Sequence, residues 1–100
     1  MTDVMKGDAL KKALADWLPG WEVASSGDAI AKSFRFKDFR AAMAFMNDVA
    51  DDAERLNHHP DWSNSYNTVD IQLTTHDAGG VTERDIELAR IIESKASGKQ

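Results

Sequence analysis

The chain has 100 residues, of which 42% are hydrophobic and 29% are charged, and its formal net charge is −5. This composition is typical of a globular protein, and we expect residues 1–100 to form one domain. No segment approaches the roughly 18 consecutive apolar residues that a membrane-spanning helix needs. The 12 Lys and Arg residues are scattered, whereas nucleic-acid phosphates are bound by grouped cations. We therefore expect neither a membrane nor a nucleic acid as a partner.

Several classes of chemistry are excluded because their residues are missing. The chain contains no cysteine, so it has no disulfide and no thiolate nucleophile. It also lacks a Gly-rich phosphate loop and a Gly-x-Ser-x-Gly nucleophile motif. The first residues lack the basic region and apolar core of a secretory signal. We expect a cytoplasmic protein.

The first part of the chain predicts a helix followed by two strands. Leucines and a tryptophan recur at spacings of three and four in Ala9–Leu18. Pro19 and Gly20 end this helix. Alternation predicts strands at Trp21–Val23 and at about Ala29–Lys37, with a turn between them.

The longest helix is predicted for Phe39 to about Asn57, with Asp38 as its N-cap. Nine apolar residues of this segment fall within about 160° of a helical wheel. Glu54 lies at the rim of that apolar stripe. The stripe suits either the protein core or a dimer interface, and we favour the core.

The last part of the chain predicts a strand and a helix. Pro60 disfavours helical geometry in the residue before it, and alternation then predicts a strand over Tyr66–His76. Thr82 is the predicted cap of the last helix, with Asp85 completing a variant of the capping box. We expect Ser94–Gln100 to be a frayed tail. The element order favours an antiparallel sheet with helices on one face, and an uncovered face or edge would promote self-association.

All three histidines lie in one segment, at the predicted ends of elements. His58 and His59 follow the long helix, and His76 ends a strand on its polar face. Imidazole both gives and takes protons near neutral pH, so these residues are candidates for general acid–base catalysis. The alternative is structural, because a histidine is favourable at a helix C-terminus and His76 could simply face solvent.

Two carboxylates and two tryptophans could support such a site. Asp85 points into the apolar arc of its helix, where it needs a partner such as a histidine. Glu54 precedes His58 by one turn, so it could fix that ring or form a surface pair. Trp21 and Trp62 could stack on a flat heterocycle, although core packing is the commoner role.

A metal site is the less favoured alternative. Three imidazoles and a carboxylate could bind zinc. However, the chain has no H-x-x-x-H pair on a helix and no H-x-H pair on a strand. We therefore predict no metal.

At these residues the sequence resembles the pterin-4a-carbinolamine dehydratases, also known as dimerisation cofactors of a homeodomain transcription factor. The string Glu54-x-x-x-His58-His59-Pro60-Asp61-Trp62 matches the family pattern. So do the segments Tyr66-Asn67, Thr75-His76-Asp77 and Thr82-Glu83-Arg84-Asp85-Ile86 in order and spacing. The likeness covers Leu10 to about Glu93. Ser63 departs from it, since a bulkier residue is expected there.

The resemblance implies an α+β fold of helix, two strands, helix, two strands, helix. Its four antiparallel strands have three helices packed on one face, and subunits join into dimers or tetramers. The fourth strand, which alternation did not indicate, would be short and near Ser63–Asn67.

The resemblance also implies the dehydration of 4a-hydroxytetrahydrobiopterin, the product that an aromatic amino acid hydroxylase leaves behind. In the family, His58 and His76 would act as acid and base, in an order we leave open, and His59 would hold the substrate. The residues implied for substrate binding or support are Glu54, Pro60, Trp62, Thr75 and Asp85. A protein-binding module that contacts a partner helix, as some relatives are credited with, and a pterin-binding domain of another pathway are the competing hypotheses.

Overall fold

The computed structural model describes residues 3–97, in which helices and strands follow the order α-β-β-α-β-β-α. The helices are α1 (Gly7–Trp17), α2 (Phe39–Leu56) and α3 (Glu83–Ala96). The strands are β1 (Glu22–Val23), β2 (Ile30–Arg35), β3 (Asp61–Ser65) and β4 (Thr68–Leu73). Within these residues, no helix combines the length and apolarity that a membrane crossing requires.

The four strands form one antiparallel sheet in the order β1-β2-β4-β3. Phe34 lies opposite Val69, and Trp62 lies opposite Ile71. Because directly opposed residues project to the same face, these residues share one side of the sheet. The other side carries exposed polar residues such as Asp70.

All three helices pack on the apolar side of the sheet, as the sequence predicted. Each helix contributes buried residues to the cluster that includes Phe34 and Ile71. The buried residues that the helices contribute are Leu10 and Leu14 from α1, Ala42, Phe45 and Val49 from α2, and Leu88, Ala89, Ile92 and Ala96 from α3. The predicted α+β class, with helices on one face, is thus confirmed.

The apolar stripe of α2 is buried at its centre and exposed at one edge. Phe45 and Val49 are fully buried. In contrast, Phe39 is 48% exposed and Met43 is 37% exposed. The core interpretation of this stripe holds for its centre, while the edge lies at the surface of the described chain.

Lys32 interrupts the apolar face of β2 without leaving an unpaired charge. Its ammonium group bonds to the carboxylate of Glu93, on α3, and lies 4.8 Å from the centre of the Phe34 ring. The same Glu93 oxygen accepts a hydrogen bond of 2.9 Å from the indole of Trp21. This contact between α3 and the sheet stabilises the end of the helix remote from its capped start.

Several predicted boundaries differ from those observed. α1 covers Gly7–Trp17 rather than Ala9–Leu18, β2 covers Ile30–Arg35 rather than about Ala29–Lys37, and three further differences lie in the second half of the chain. α3 continues to Ala96, because that residue extends the buried stripe of Ile92, so 94–96 are helical rather than frayed; residues 98–100 lie outside the described part of the chain. The strand predicted over Tyr66–His76 is shorter, since Tyr66 and Asn67 form the hairpin turn before Thr68–Leu73. The strand placed near Ser63–Asn67 is Asp61–Ser65.

Candidate active site

α2 ends in a turn after which the side chains of two successive histidines point in different directions. Asn57 is the C-cap in left-handed geometry, with φ 52°, a conformation that asparagine tolerates well. The backbone N–H of His58 then donates to the carbonyl of Ala53 at 3.0 Å. After this turn the side chain of His58 is 8% exposed, whereas that of His59 is 55% exposed.

His58 meets a buried carboxylate. Its Nε2 lies 2.5 Å from Oδ1 of Asp85, whose side chain is completely buried. The sequence prediction that Asp85 points inward and needs a partner agrees with this geometry. A carboxylate out of water is costly unless its oxygens are hydrogen-bonded, and the histidine supplies one of those bonds.

The second oxygen of Asp85 accepts hydrogen bonds from residues that precede α3. Oδ2 accepts from the Thr75 hydroxyl at 2.8 Å and from the Thr82 backbone N–H at 2.9 Å. The latter bond is half of a capping box at the start of α3, as predicted. The hydroxyls of Thr75 and Thr82 lie 2.7 Å apart. Because Thr75 donates to the carboxylate, Thr82 donates to Thr75.

Glu54 contacts His59 instead of His58. Its Oε2 lies 2.5 Å from Nε2 of His59, five residues along the chain, and both side chains are more than half exposed. The interpretation that Glu54 fixes the ring of His58 was therefore wrong. The reason is that the left-handed residue Asn57 ends the helix before the i, i+4 position is reached.

His76 follows β4 in a short 3₁₀ helix, His76–Ala78, so it does not lie on the strand itself. Thr75 pairs with Gly80 across this loop, and Gly79 ends the turn with φ 79°. The His76 side chain is 78% exposed, and its Nε2 lies 3.7 Å from Oδ2 of Asp61.

A cleft of about 180 Å³ brings the three histidines together. It lies between the end of α2, the loop after β4 and the start of α3. Its lining residues are Asn57, His58, His59, Thr74, Thr75, His76, Asp77 and Arg84. This volume is below the roughly 300 Å³ of ordinary ligand pockets, so the cleft would enclose only part of a ligand of ordinary size.

The contacts of His58 determine which of its nitrogens is free for chemistry. An ionised carboxylate only accepts hydrogen bonds, so Nε2 of His58 carries the hydrogen that Asp85 receives. Nδ1 is then the nitrogen of that ring left to accept or deliver a proton.

Of the five residues implied for substrate binding or support, Thr75 lines the cleft, and Glu54, Pro60, Trp62 and Asp85 do not. Trp62 is half-buried on the helix-facing side of β3, where it packs against the core. Pro60 lies in the connection between His59 and that strand. Trp21 is buried, with its indole bonded to Glu93, so it serves the core.

Sequence reasoning overlooked Arg84 as part of the cleft. Its Nη2 donates to the carbonyl of Asn57 at 2.9 Å, which ties the start of α3 to the end of α2. A signal was present, because Arg84 adjoins Asp85 within the matched string. In residues 3–97 no three His, Asp or Glu side chains gather in a way that would bind a metal.

Comparison with known proteins identifies the family. Residues 3–95 match the family described as Pterin 4 alpha carbinolamine dehydratase. The chain belongs to this family. A Rhizorhabdus wittichii protein provisionally named pterin-4-alpha-carbinolamine dehydratase is 52% identical over 96 residues, covering 96% of this chain and 94% of that protein. A Rhodospirillum rubrum protein with the same provisional name is 50% identical over 93 residues, covering 93% and 96%.

Solved structures share the fold of this pterin-4a-carbinolamine dehydratase family member. A Brucella melitensis protein described as a transcriptional coactivator/pterin dehydratase has a TM-score of 0.90 and 43% identity, covering 95% of this chain and 100% of that one. A pterin dehydratase-like protein described as a RuBisCO assembly factor of the alpha-carboxysome has a TM-score of 0.68 and 21% identity, covering 83% and 95%. The second likeness concerns the fold alone.

Proposed function

We propose that the protein is a dehydratase that converts 4a-hydroxytetrahydrobiopterin to quinonoid dihydropterin and water. The observation that carries this proposal is that the buried His58–Asp85 pair and the exposed His76 open onto one cleft. Family membership supports the pterin as the substrate class. Two imidazoles in one cleft meet the need of this reaction for both an acid and a base.

The proposed reaction balances through two proton transfers. One imidazolium gives a proton to the hydroxyl on C4a as the carbon–oxygen bond breaks, so that water leaves in place of hydroxide. The other imidazole takes the proton from the adjacent ring nitrogen, and the C=N bond forms. His58 and His76 are the candidates for these two roles. The chemistry requires neither a metal nor an organic cofactor.

The remaining site residues support binding and orientation in this proposal. His59, at the exposed rim and paired with Glu54, holds the substrate. Asp85 fixes the ring of His58, and Thr75 holds the Asp85 carboxylate in place. Pro60 and Trp62 act indirectly, by fixing the chain between His59 and β3.

The cellular setting belongs to the same proposal. The substrate arises when an aromatic amino acid hydroxylase uses its tetrahydropterin, so the protein would serve tetrahydrobiopterin recycling in the cytoplasm.

We also propose a homodimer or homotetramer. The support is that β1 and β3 form the edges of the sheet and that Phe39 and Met43 are exposed on α2, since free edges and apolar patches promote association.

A direct assay tests the proposed activity. The 4a-hydroxytetrahydropterin is generated in place, and its decay is followed by absorbance with and without the protein. Acid–base help is worth about 10²- to 10⁴-fold, so wild type should exceed the spontaneous rate by a factor of that order. A decay rate equal to that of buffer would refute the enzyme hypothesis.

Substitutions then test the site. His58→Ala and His76→Ala should each reduce kcat by about tenfold or more, because each removes one proton transfer. His58→Ala also leaves Oδ1 of the buried Asp85 without its partner. The folding of this variant is therefore checked by circular dichroism. Arg35→Ala, exposed on β2, is the matched control. Wild-type rates in both histidine variants would contradict the site even if the activity stands.

A second candidate function is that of a protein-binding module. The observation favouring it is the exposed edge of α2, where Phe39 and Met43 border a shallow groove with Arg40, Ala44 and Asn47. Phe39→Ser and Met43→Ser should leave dehydratase activity intact and abolish self-association or partner binding in sizing chromatography. Unchanged assembly in both variants would count against a role for this edge.

A further inference from the structure

Each histidine of the cleft faces one carboxylate through its Nε2. For His58 the partner is buried, and for His59 it is exposed, and both distances are 2.5 Å. For His76 the partner is Asp61, at 3.7 Å. The third pair therefore repeats the arrangement of the first two with a longer distance, and like the second pair it is exposed to solvent.

Asp61 and His76 come from different elements, and no local sequence pattern pairs them. It is the first residue of β3, and it lies opposite Gln72 on the open face of the sheet. Its position directly after the His-His-Pro turn brings the carboxylate beside His76, which lines the cleft, although Asp61 itself does not line it. The other charged groups around His76 are Asp77 on its own turn, with Arg84, His58 and His59 across the cleft.

We propose that Asp61 is a positioning residue for His76 in the dehydration reaction. This inference rests on the proposed function. The His76 side chain is 78% exposed, and a ring so exposed samples several rotamers. A carboxylate beside Nε2 favours the orientation in which that nitrogen donates to it, which leaves Nδ1 directed to the substrate.

The pair needs little movement to become a hydrogen bond. Ordinary N–H···O bonds have heavy-atom distances of about 2.7–3.2 Å, and Nε2 and Oδ2 are 3.7 Å apart. A change of His76 rotamer or of the Asp61 side chain, with no shift of the backbone, closes that difference. Substrate in the cleft would favour closure, because it excludes water from the pair.

The test uses Asp61→Asn, which removes the charge and keeps the size, and Asp61→Glu, which keeps the carboxylate. Asp70→Asn is the matched control. It removes one charge from the same open face, but Asp70 bonds to Ser33 and contacts no histidine in residues 3–97. Two quantities are measured for each variant. They are the dehydratase kcat and KM, and the ¹⁵N chemical shifts of the His76 ring in mildly alkaline buffer, with His76→Gln identifying the signals.

In the expected result, Asp61→Asn shifts the two His76 nitrogens toward values typical of mixed tautomers and leaves those of His58 in place. kcat falls about two- to fivefold, the size of effect that exposed charge pairs reach, while KM is unchanged. Asp61→Glu restores most of both readouts, and Asp70→Asn matches wild type.

Two outcomes overturn the inference. Unchanged His76 nitrogen shifts in Asp61→Asn would show that the pair does not orient the ring. Shifted nitrogens with wild-type kcat would show that the orientation does not matter to the reaction. A wild-type protein without dehydratase activity would defeat the proposed function instead, and the nitrogen shifts would still report whether Asp61 orients His76.

Discussion

Asp85 holds His58 with one carboxylate oxygen and the start of α3 with the other. Oδ1 lies 2.5 Å from Nε2 of His58, and Oδ2 accepts from Thr75 and from the backbone of Thr82. The end of α2 is thereby connected to the beginning of α3 through a side chain that solvent does not reach. This buried connection joins two of the helix ends that border the cleft.

Replacement of Asp85 by asparagine should impair both stability and activity. Asparagine keeps the size of aspartate, but its NH₂ group replaces one carboxylate oxygen. At either position the NH₂ group would face a group that donates to that oxygen in the wild type. We expect a loss of about 1–3 kcal/mol in the free energy of unfolding, measured by urea denaturation, and a fall in kcat of about tenfold or more. Asp51→Asn, exposed on α2, is the control. Wild-type stability in Asp85→Asn would contradict the hydrogen-bond pattern described above.

The hydroxyl of Thr75 should matter more than its methyl group. Thr75→Val keeps the shape but leaves Asp85 without one donor and the Thr82 hydroxyl without its acceptor. The unfolding free energy should fall by about 1–3 kcal/mol. Thr75→Ser retains the hydroxyl and should recover most of that loss. Equal stability of the valine and serine variants in urea titrations would show that the hydroxyl chain contributes nothing.

Asn57 offers a test of the turn before His58. Its left-handed φ of 52° costs a residue with a Cβ about 1–2 kcal/mol unless the side chain tolerates it. Asn57→Ala should lower the unfolding free energy by about 1 kcal/mol, whereas Asn57→Gly should be neutral or stabilising. Both variants keep the carbonyl that Arg84 binds. Thermal denaturation distinguishes them, and an alanine variant as stable as the glycine variant would rule out backbone strain at this position.

Two ion pairs far from the cleft should differ in their contribution to stability. Glu93→Ala removes the partner of both Trp21 and Lys32 in a partly buried place, so the unfolding free energy should fall by about 1–3 kcal/mol. Asp16→Ala breaks the exposed pair with Lys12 and should cost about 0.5 kcal/mol or less. Activity per folded molecule should be unchanged in both. A larger loss for Asp16→Ala in urea denaturation would reverse this order.

Elements with strong periodicity were predictable from the sequence, and those without it were not. The apolar stripe of α2 and the alternation around Ile71 produced the right elements. In β3, Trp62 is the one apolar residue of five, so alternation did not reveal a strand that is held mainly by its hairpin with β4. The exposure of one edge of the α2 stripe could not be predicted either, because a helical wheel shows which residues share a face but not what covers that face.

Within the candidate site, contacts made inside helices were predicted best. The inward direction of Asp85 followed from its place on α3, which helical geometry fixes. The partner of Glu54 was predicted wrongly, since one left-handed residue, Asn57, changes the direction of everything after it. The pairs of His76 with Asp61 and of Arg84 with Asn57 join distant elements, and no local pattern encodes them.

Because Asp85 also completes a helix cap, its presence is a poor guide to activity among related chains. A relative that had abandoned the reaction would still gain from an acidic residue there, since the start of α3 would continue to need it. His58 takes no part in that cap with its side chain. A relative that lacks the histidine and keeps the aspartate would therefore be expected to have the same architecture without the proposed chemistry.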